Sequence, residues 1–486
     1  MKLQIENACW LGDDGWFHWG TMFLDGGRIA KLASDHASDD PAKGPARAAL
    51  RWTSAARRID AAGLFIVPGL IDAHVHLREP GQVAKEGIAN GTAAALKGGV
   101  TTVLDMPNNR PPITTAGLFE QKRSLFARKS RVNYGLFLQA VADGPRAPET
   151  AVGVKIFMAK GSPLAAVREA DTLARIFRQQ DLVVIHAEDE AKFSTQWKKF
   201  SPVFHTMEKK FPQCGKTGSG RANRPGEPRP LAVRLGRDAS PYPDLVHHLR
   251  RPRAAVLAAL KSIEAAWRKV PAKARPRLVI AHGSTAEEIE WVARMKRLGH
   301  DVWAETCPHY FLFSEQDYLE QGSALQVNPP LRTEEDRAAI CAAVKNGGID
   351  FISTDHAPHL PAEKAGRNPP SGIAGIEWLG PILLTWAKRG EISWKRYLEL
   401  AGQHAARCYG IADRGGIREG AWADLAFAEA GKKAKGAAEK IVTRAAIQPY
   451  EHFEFGVRVR ATMVNGQVAW TDGRVRRGVR GQEVFE

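Results

Sequence analysis

Residues 64–78 read Leu64-Phe65-Ile66-Val67-Pro68-Gly69-Leu70-Ile71-Asp72-Ala73-His74-Val75-His76-Leu77-Arg78. The apolar run has the composition of a buried strand, and it ends on two histidines separated by one valine. Residues two apart on a strand face the same side, so both imidazoles point one way and can grip one metal ion. Alone, the pair also fits a strand that merely carries two histidines. The rest of the chain decides.

Downstream, short β-type runs alternate with helical stretches: Gly99–Asp105, Gly153–Met158, Leu182–His186, Leu278–His282, Asp301–Glu305 and Asp350–Asp355. Repeated β-then-α alternation implies parallel strands joined by helices. The expected fold is α/β, a closed (β/α)8 barrel of the TIM type. Strand-like text returns beyond about 418, in Ala423–Phe427 and Ala461–Trp470, and also marks residues 1 to about 35. Both termini are therefore expected to form one small β-sandwich domain, with boundaries 1–65, 66–418 for the barrel, and 419–486.

The 486 residues, 44% of them hydrophobic, are enough for a large barrel core plus an appendage. Cys9, Cys214, Cys307, Cys341 and Cys408 show no CxxC spacing, which argues against a disulfide framework and a cysteine zinc site. The opening residues lack a signal-peptide apolar region, and no uncharged apolar stretch of ~18 residues follows. A soluble cytoplasmic protein with no membrane association is expected. The net charge of +16 is concentrated in residues 191–253, with 14 Lys and Arg against 4 Asp and Glu. Base-stacking aromatics are not regularly interleaved there, so the segment reads as a solvated basic loop rather than a nucleic-acid site.

Polar residues cap the runs: His74 and His76, Lys155, His186, His282 and Asp355. In a parallel barrel such ends converge on one face, where barrel active sites are built. Four histidines and an aspartate exceed what one catalytic zinc needs, which points to two ions. Lys155 is the odd member, since an ammonium beside two divalent cations is repelled. Burial and positive neighbours favour the neutral amine, which can take up carbon dioxide and become an anionic carbamate bridge.

On these residues the chain resembles the cyclic amidohydrolase superfamily and, within it, the dihydroorotases, over nearly its whole length apart from an expanded segment after His186. The resemblance implies one zinc ion held by His74, His76 and Asp355, a second by His186 and His282, and N6-carboxylated Lys155 between them. The substrate carboxylate of dihydroorotate calls for cationic and amide donors. Arg78, Asn108 and His359 match the family's three carboxylate contacts. Asn328, in Asn328-Pro329-Pro330-Leu331-Arg332, matches a loop that contacts the substrate ring, and Gly372–Glu377 looks like the segment that presents backbone groups to it. Thr306-Cys307-Pro308-His309-Tyr310 reads more like the related hydantoinases and allantoinases. The basic region 196–246, in the loop after the fifth barrel strand, reads as an insertion.

The expected reaction is reversible hydrolysis of the cyclic amide of (S)-dihydroorotate to N-carbamoyl-L-aspartate, in pyrimidine biosynthesis. A metal-activated hydroxide attacks, and Asp355 serves as general acid and base. A hydantoinase-like or allantoinase-like activity is the alternative within the superfamily. A non-catalytic structural partner of aspartate carbamoyltransferase is the alternative outside enzymes, though such chains usually lose metal ligands. The expected partners are a small-molecule substrate, a second copy of the chain in a homodimer, and aspartate carbamoyltransferase.

Overall fold

The apolar run at residues 64–73 is two strands, and the break assigns them to different sheets. Ahead of it come β1 (Leu3–Leu11), β2 (Phe17–Asp25), β3 (Arg28–Ser38) and β4 (Arg58–Asp60). The run then divides into β5 (Phe65–Pro68) and β6 (Leu70–Val75). Gly69 between them lies so close to Thr101 that a Cβ would meet its side chain at 2.3 Å, so only glycine passes there. The computed structural model describes residues 2–43, 58–159, 164–193, 247–435, 440–471 and 473–485. The expected insertion at 196–246 lies outside the described residues.

The barrel continues with β7 (Val100–Asp105), β8 (Asn133–Gln139), β9 (Gly153–Phe157), β10 (Leu182–His186), β11 (Arg277–Ile280), β12 (Val302–Thr306) and β13 (Phe351–Ile352). These and β6 form an eight-stranded parallel sheet in chain order. The strand missing from the sequence reading is β8, whose Asn133, Tyr134, Gly135 and Gln139 interrupt the apolar text. All seven of its residues are buried.

The two edges, β6 and β13, meet through isolated contacts rather than a ladder. Val75 bridges His356, and the amide of His76 donates to the carbonyl of His356 at 2.8 Å. The buried carboxylate of Asp72 accepts from the amide of Thr354 at 2.9 Å and from its hydroxyl at 2.5 Å. Burial pushes the Asp72 pKa up to about 7. This clasp fixes the strand end that carries Asp355 against the one that carries the histidine pair.

Inward residues of successive strands, among them Ile71, Leu104, Phe137, Val184, Val279 and Phe351, form one core inside the barrel. Ala405, Cys408 and Tyr409 of the helix His404–Tyr409 join it. The outer residues, such as Val154, Ile156, Val183, Ile185, Leu278 and Ile280, pack in a second cluster with the surrounding helices. Those helices carry ordinary start signals. Thr285 and Glu288, for example, form a reciprocal cap on Ala286–Arg297.

After the barrel come β14 (Leu425–Lys435), β15 (Glu454–Val464), β16 (Gln467–Thr471) and β17 (Arg474–Val475). They join the N-terminal strands in one sheet of nine, ordered β17-β16-β15-β14-β5-β1-β2-β3 with β4 beside β1. The seam is the antiparallel pairing of β14 with β5. Trp10, Met22, Ile29, Ile66, Phe427 and Met463 share a separate core there. The molecule is thus a TIM-type barrel with a β-sandwich domain built from both termini. Among the described residues, no helix is long and apolar enough to cross a membrane.

Candidate metal centre

Strand alternation delivers some of the expected ligands directly. Val154 and Ile156 belong to the outer cluster, so Lys155 between them faces the barrel interior, and His186 follows inward Val184 by two. His282 does not obey this rule. It comes one residue after inward Ala281, so regular alternation would turn it outward. Its φ of 39° bends the chain instead, and the ring meets His186 with Nε2 3.0 Å from Nδ1. Asp355 (φ 46°) and Arg78 (φ 64°) share this left-handed conformation. Three non-glycine residues strained at one barrel mouth mark it as functional.

The first cluster is His74, His76 and Asp355, each offering a ligand atom, all within 4.8 Å of one another and all buried. Asp355 Oδ1 lies 2.9 Å from His76 Nε2 and 3.5 Å from His74 Nε2. Burial raises the Asp355 pKa, but the His76 hydrogen bond and the nearby rings of His74 and His76 more than offset it and hold the carboxyl well below its usual range. The second cluster, His186 and His282, is adjoining: the rings of His74 and His282 have centroids 5.3 Å apart.

Lys155 completes the set. Its Nζ is fully buried and has no hydrogen-bond partner among the described residues, and burial brings its pKa down to about 8. Glu305, Asp355 and Cys307 are its charged or polar neighbours, whereas His186 and His282 feel its positive field. An unpaired buried amine is costly unless something is meant to bind it. His282 Nδ1 is likewise without a partner. The donor set therefore fits a metal ion that draws on imidazole and carboxylate beside an unpaired lysine amine.

Each histidine but one is also held from behind. His74 Nδ1 donates to Glu305 Oε1 at 2.8 Å, which leaves Nε2 free to face Asp355. His76 Nδ1 donates to Asn108 Oδ1 at 2.6 Å with the same result. In His186 the roles are reversed: Nε2 lies 3.0 Å from Glu188 Oε2, and Nδ1 is turned to His282. Such outer partners fix the tautomer and raise ligand basicity. Glu188 is fully buried and in turn held by Arg251 and by Arg332 at 3.2 Å. Burial would raise its pKa, but Arg251, His186 and Arg332 keep it well below the ordinary carboxylate range. Glu305 and Glu188 were not singled out from the sequence, although Glu305 closes one of the expected strand runs and Glu188 follows the strand that carries His186.

The remaining expected residues line the mouth. Arg78 donates from Nε to the Pro358 carbonyl at 3.3 Å, and its Nη2 lies 3.1 Å from His359 Nε2. Burial brings the Arg78 pKa down to about 10, still well above neutrality. The loop that carries it turns at Gly81 (φ +92°), where a Cβ would sit 1.9 Å from the Arg110 carbonyl. Asn108 reaches the site through His76, so it supports a candidate ligand as well as lining the mouth. Among the described residues, Asn328 makes no hydrogen bond to Arg78, Asn108 or His359. Its Oδ1 accepts from His247 Nε2 at 2.9 Å, and His247 approaches the Ser371 hydroxyl at 3.5 Å. Ser371 also lends its carbonyl to His359 at 3.1 Å, so Asn328 is linked to the Arg78 side through two intermediaries. His247 is a contribution that the sequence did not reveal.

The fold and this cluster define a hydrolase of the amidohydrolase type, and the chain belongs to the Amidohydrolase family, whose model matches residues 65–206 and 263–469. Two similar curated proteins carry different names. The allantoinase of Rubrobacter xylanophilus is 31% identical, with 88% of this chain and 89% of that protein covered. The dihydroorotase of Bacillus caldolyticus is 32% identical, over 86% and 90%. Among solved structures, the L-hydantoinase (dihydropyrimidinase) from Arthrobacter aurescens superposes with a TM-score of 0.77 at 23% identity, covering 100% of this chain and 99% of that one. The protein is a cyclic amidohydrolase.

Proposed function

We propose that this cyclic amidohydrolase is a dihydroorotase, which opens the ring of (S)-dihydroorotate to N-carbamoyl-L-aspartate and closes it in the biosynthetic direction. The observation that carries the reading is the Arg78–His359 pair, 3.1 Å apart beside the histidine and aspartate cluster. A guanidinium there offers a fork to a carboxylate, which dihydroorotate has and which hydantoin and allantoin lack. Curated dihydroorotases at about 30% identity over most of the chain support the same choice. The filled ligand positions favour an enzyme over a non-catalytic partner of aspartate carbamoyltransferase. Cys9, Cys307, Cys341 and Cys408 are free thiols, which suits a reducing cytoplasm.

In this reading His74, His76 and Asp355 would hold one zinc ion and His186 and His282 a second, with carboxylated Lys155 as a further anionic ligand. Bound there, the ions would acidify a water and polarise the ring carbonyl under attack. Asp355, at the cluster, would take up a proton from the attacking water and return it to the departing ring nitrogen. Its depressed pKa keeps it ionised, and a proton it takes up is correspondingly easy to return. Glu305, Asn108 and Glu188 hold the imidazoles in the tautomers that ligation requires. Arg78 and His359 anchor the carboxylate so that the scissile amide is presented to the cluster.

Steady-state hydrolysis of dihydroorotate by wild type and Arg78→Met tests the reading. Losing a charge-assisted contact to the substrate predicts a KM at least about tenfold higher. An unchanged KM would remove the basis for this substrate.

A further inference from the structure

We propose that Lys85 is a positioning residue that fixes His359 as the Nε2–H tautomer, so that Arg78 and His359 present two donors to one anionic substrate oxygen. The proposal deepens the substrate reading above and rests on it for its consequence, but the tautomer can be measured without any substrate.

The argument is one of hydrogen-bond roles. Lys85 Nζ lies 3.0 Å from His359 Nδ1. An ammonium has donors only, so Nδ1 must be the acceptor and cannot carry the proton. The competing partner for Nδ1 is Glu363 Oε2, but it is 3.7 Å away and already accepts from the Leu360 amide at 2.9 Å. The other oxygen of Glu363 takes Lys85 at 2.8 Å and so holds the ammonium in place. The ring proton is therefore on Nε2, where it donates to the Ser371 carbonyl at 3.1 Å.

Arg78 Nη2 approaches that same Nε2 at 3.1 Å, and a guanidinium has no lone pair to offer. The contact is thus a meeting of two donors. Among the described residues, neither terminal nitrogen of Arg78 finds another acceptor; only Nε is satisfied, by Pro358. Burial and the charges of Arg78, Lys85 and Lys364 push the His359 pKa down to about 2, so the ring is neutral and the conflict is not one of two full charges. An anionic oxygen placed across Nε2–H and Nη2 accepts from both and relieves the conflict. A neutral ring substituent supplies no such charge. With the proton on Nδ1 instead, Nε2 would accept from Arg78, the pair would satisfy itself, and the demand for an anion would fall. Lys85 thus contributes to specificity from one residue behind the contact.

The test is nitrogen NMR of ring-labelled histidine, with His359 assigned through His359→Asn, in wild type, Lys85→Met and Lys85→Arg. Wild type and Lys85→Arg are expected to hold the proton on Nε2, and Lys85→Met to move it wholly or partly to Nδ1. Lys85→Ala repeats the comparison with a smaller apolar side chain. In kinetics with dihydroorotate, Lys85→Met is expected to raise KM about tenfold with kcat changed less than about threefold, and Lys85→Arg to recover most of that loss. A Lys85→Met ring that keeps its proton on Nε2 overturns the proposal, as does a loss carried by kcat with KM unchanged. A wild-type enzyme that leaves dihydroorotate intact would overturn the substrate reading instead, and the NMR result would still decide the tautomer.

Discussion

Replacing Glu305 by glutamine tests whether the buried carboxylates behind the histidines set metal affinity. Glu305 is fully buried, and its Oε1 accepts from His74 Nδ1 at 2.8 Å and from the His282 amide at 3.3 Å. Glutamine keeps the shape and one acceptor oxygen but removes the charge. A hydrogen bond to a charged group contributes about 1.5–3 kcal/mol against about 0.5–1.5 for a neutral one, so the His74 contact weakens by about 1–1.5 kcal/mol. The amide group also replaces Oε2, which has no hydrogen-bond partner among the described residues, and so places a donor there. Together these effects predict a loss of about 10- to 100-fold in metal affinity, the range found when outer partners of metal-bound histidines are removed. Competition for zinc with a chromophoric chelator measures it directly, without reference to turnover. Glu290→Gln, an exposed position on the helix Ala286–Arg297, serves as the control and should bind as wild type does. If Glu305→Gln retained affinity within about threefold of wild type, the reasoning on outer partners would be refuted.

Two other buried carboxylates give further expectations. Arg251→Ala leaves Glu188 with Arg332 as its one guanidinium, and breaking a buried ion pair costs about 3–5 kcal/mol, the lower end applying because Arg332 remains. Chemical denaturation measures this, and a loss below about 1 kcal/mol would contradict it. Glu86, held by Thr443 at 2.5 Å and Asn90 at 2.6 Å, has its pKa raised by burial from 4.5 to about 7. The folded state therefore binds this proton more tightly than the unfolded chain, so the Glu86 contribution is present below pH 4.5 and is lost as pH rises through about 7. Glu86→Gln, which has no proton to lose, should gain on wild type as pH rises through that window in thermal melts. A stability difference that does not vary with pH would show that Glu86 does not titrate there.

The ligands were legible because the barrel forces them to be: all but Lys155, which sits in the middle of β9, lie at the end of an apolar run, and parallel strands bring such ends to one face. His282 was legible by position but not by direction, since the φ of 39° that turns its ring to His186 leaves no trace in residue type. β8 was missed because its buried residues include polar Asn133 and Gln139, and a buried polar side chain is satisfied by partners that the local sequence does not show. Asn133, for instance, donates to Asp424, far along the chain. The division of the opening run at Gly69 was hidden for a related reason, since the Thr101 side chain that forces it belongs to the next strand. Glu305 and Glu188 look like any other acids in the sequence, and they gain meaning only from the imidazoles they touch. Asn328 was found by its motif, but its partner His247 follows a long basic stretch with no periodicity to place it.

The most direct test of the account is a comparison of kcat/KM for dihydroorotate, hydantoin and allantoin with the purified, zinc-loaded protein. Arg78 and His359 beside the metal cluster predict that dihydroorotate is preferred by at least about tenfold, the scale of one charge-assisted contact. Preference for allantoin or hydantoin, with dihydroorotate left intact, would contradict it.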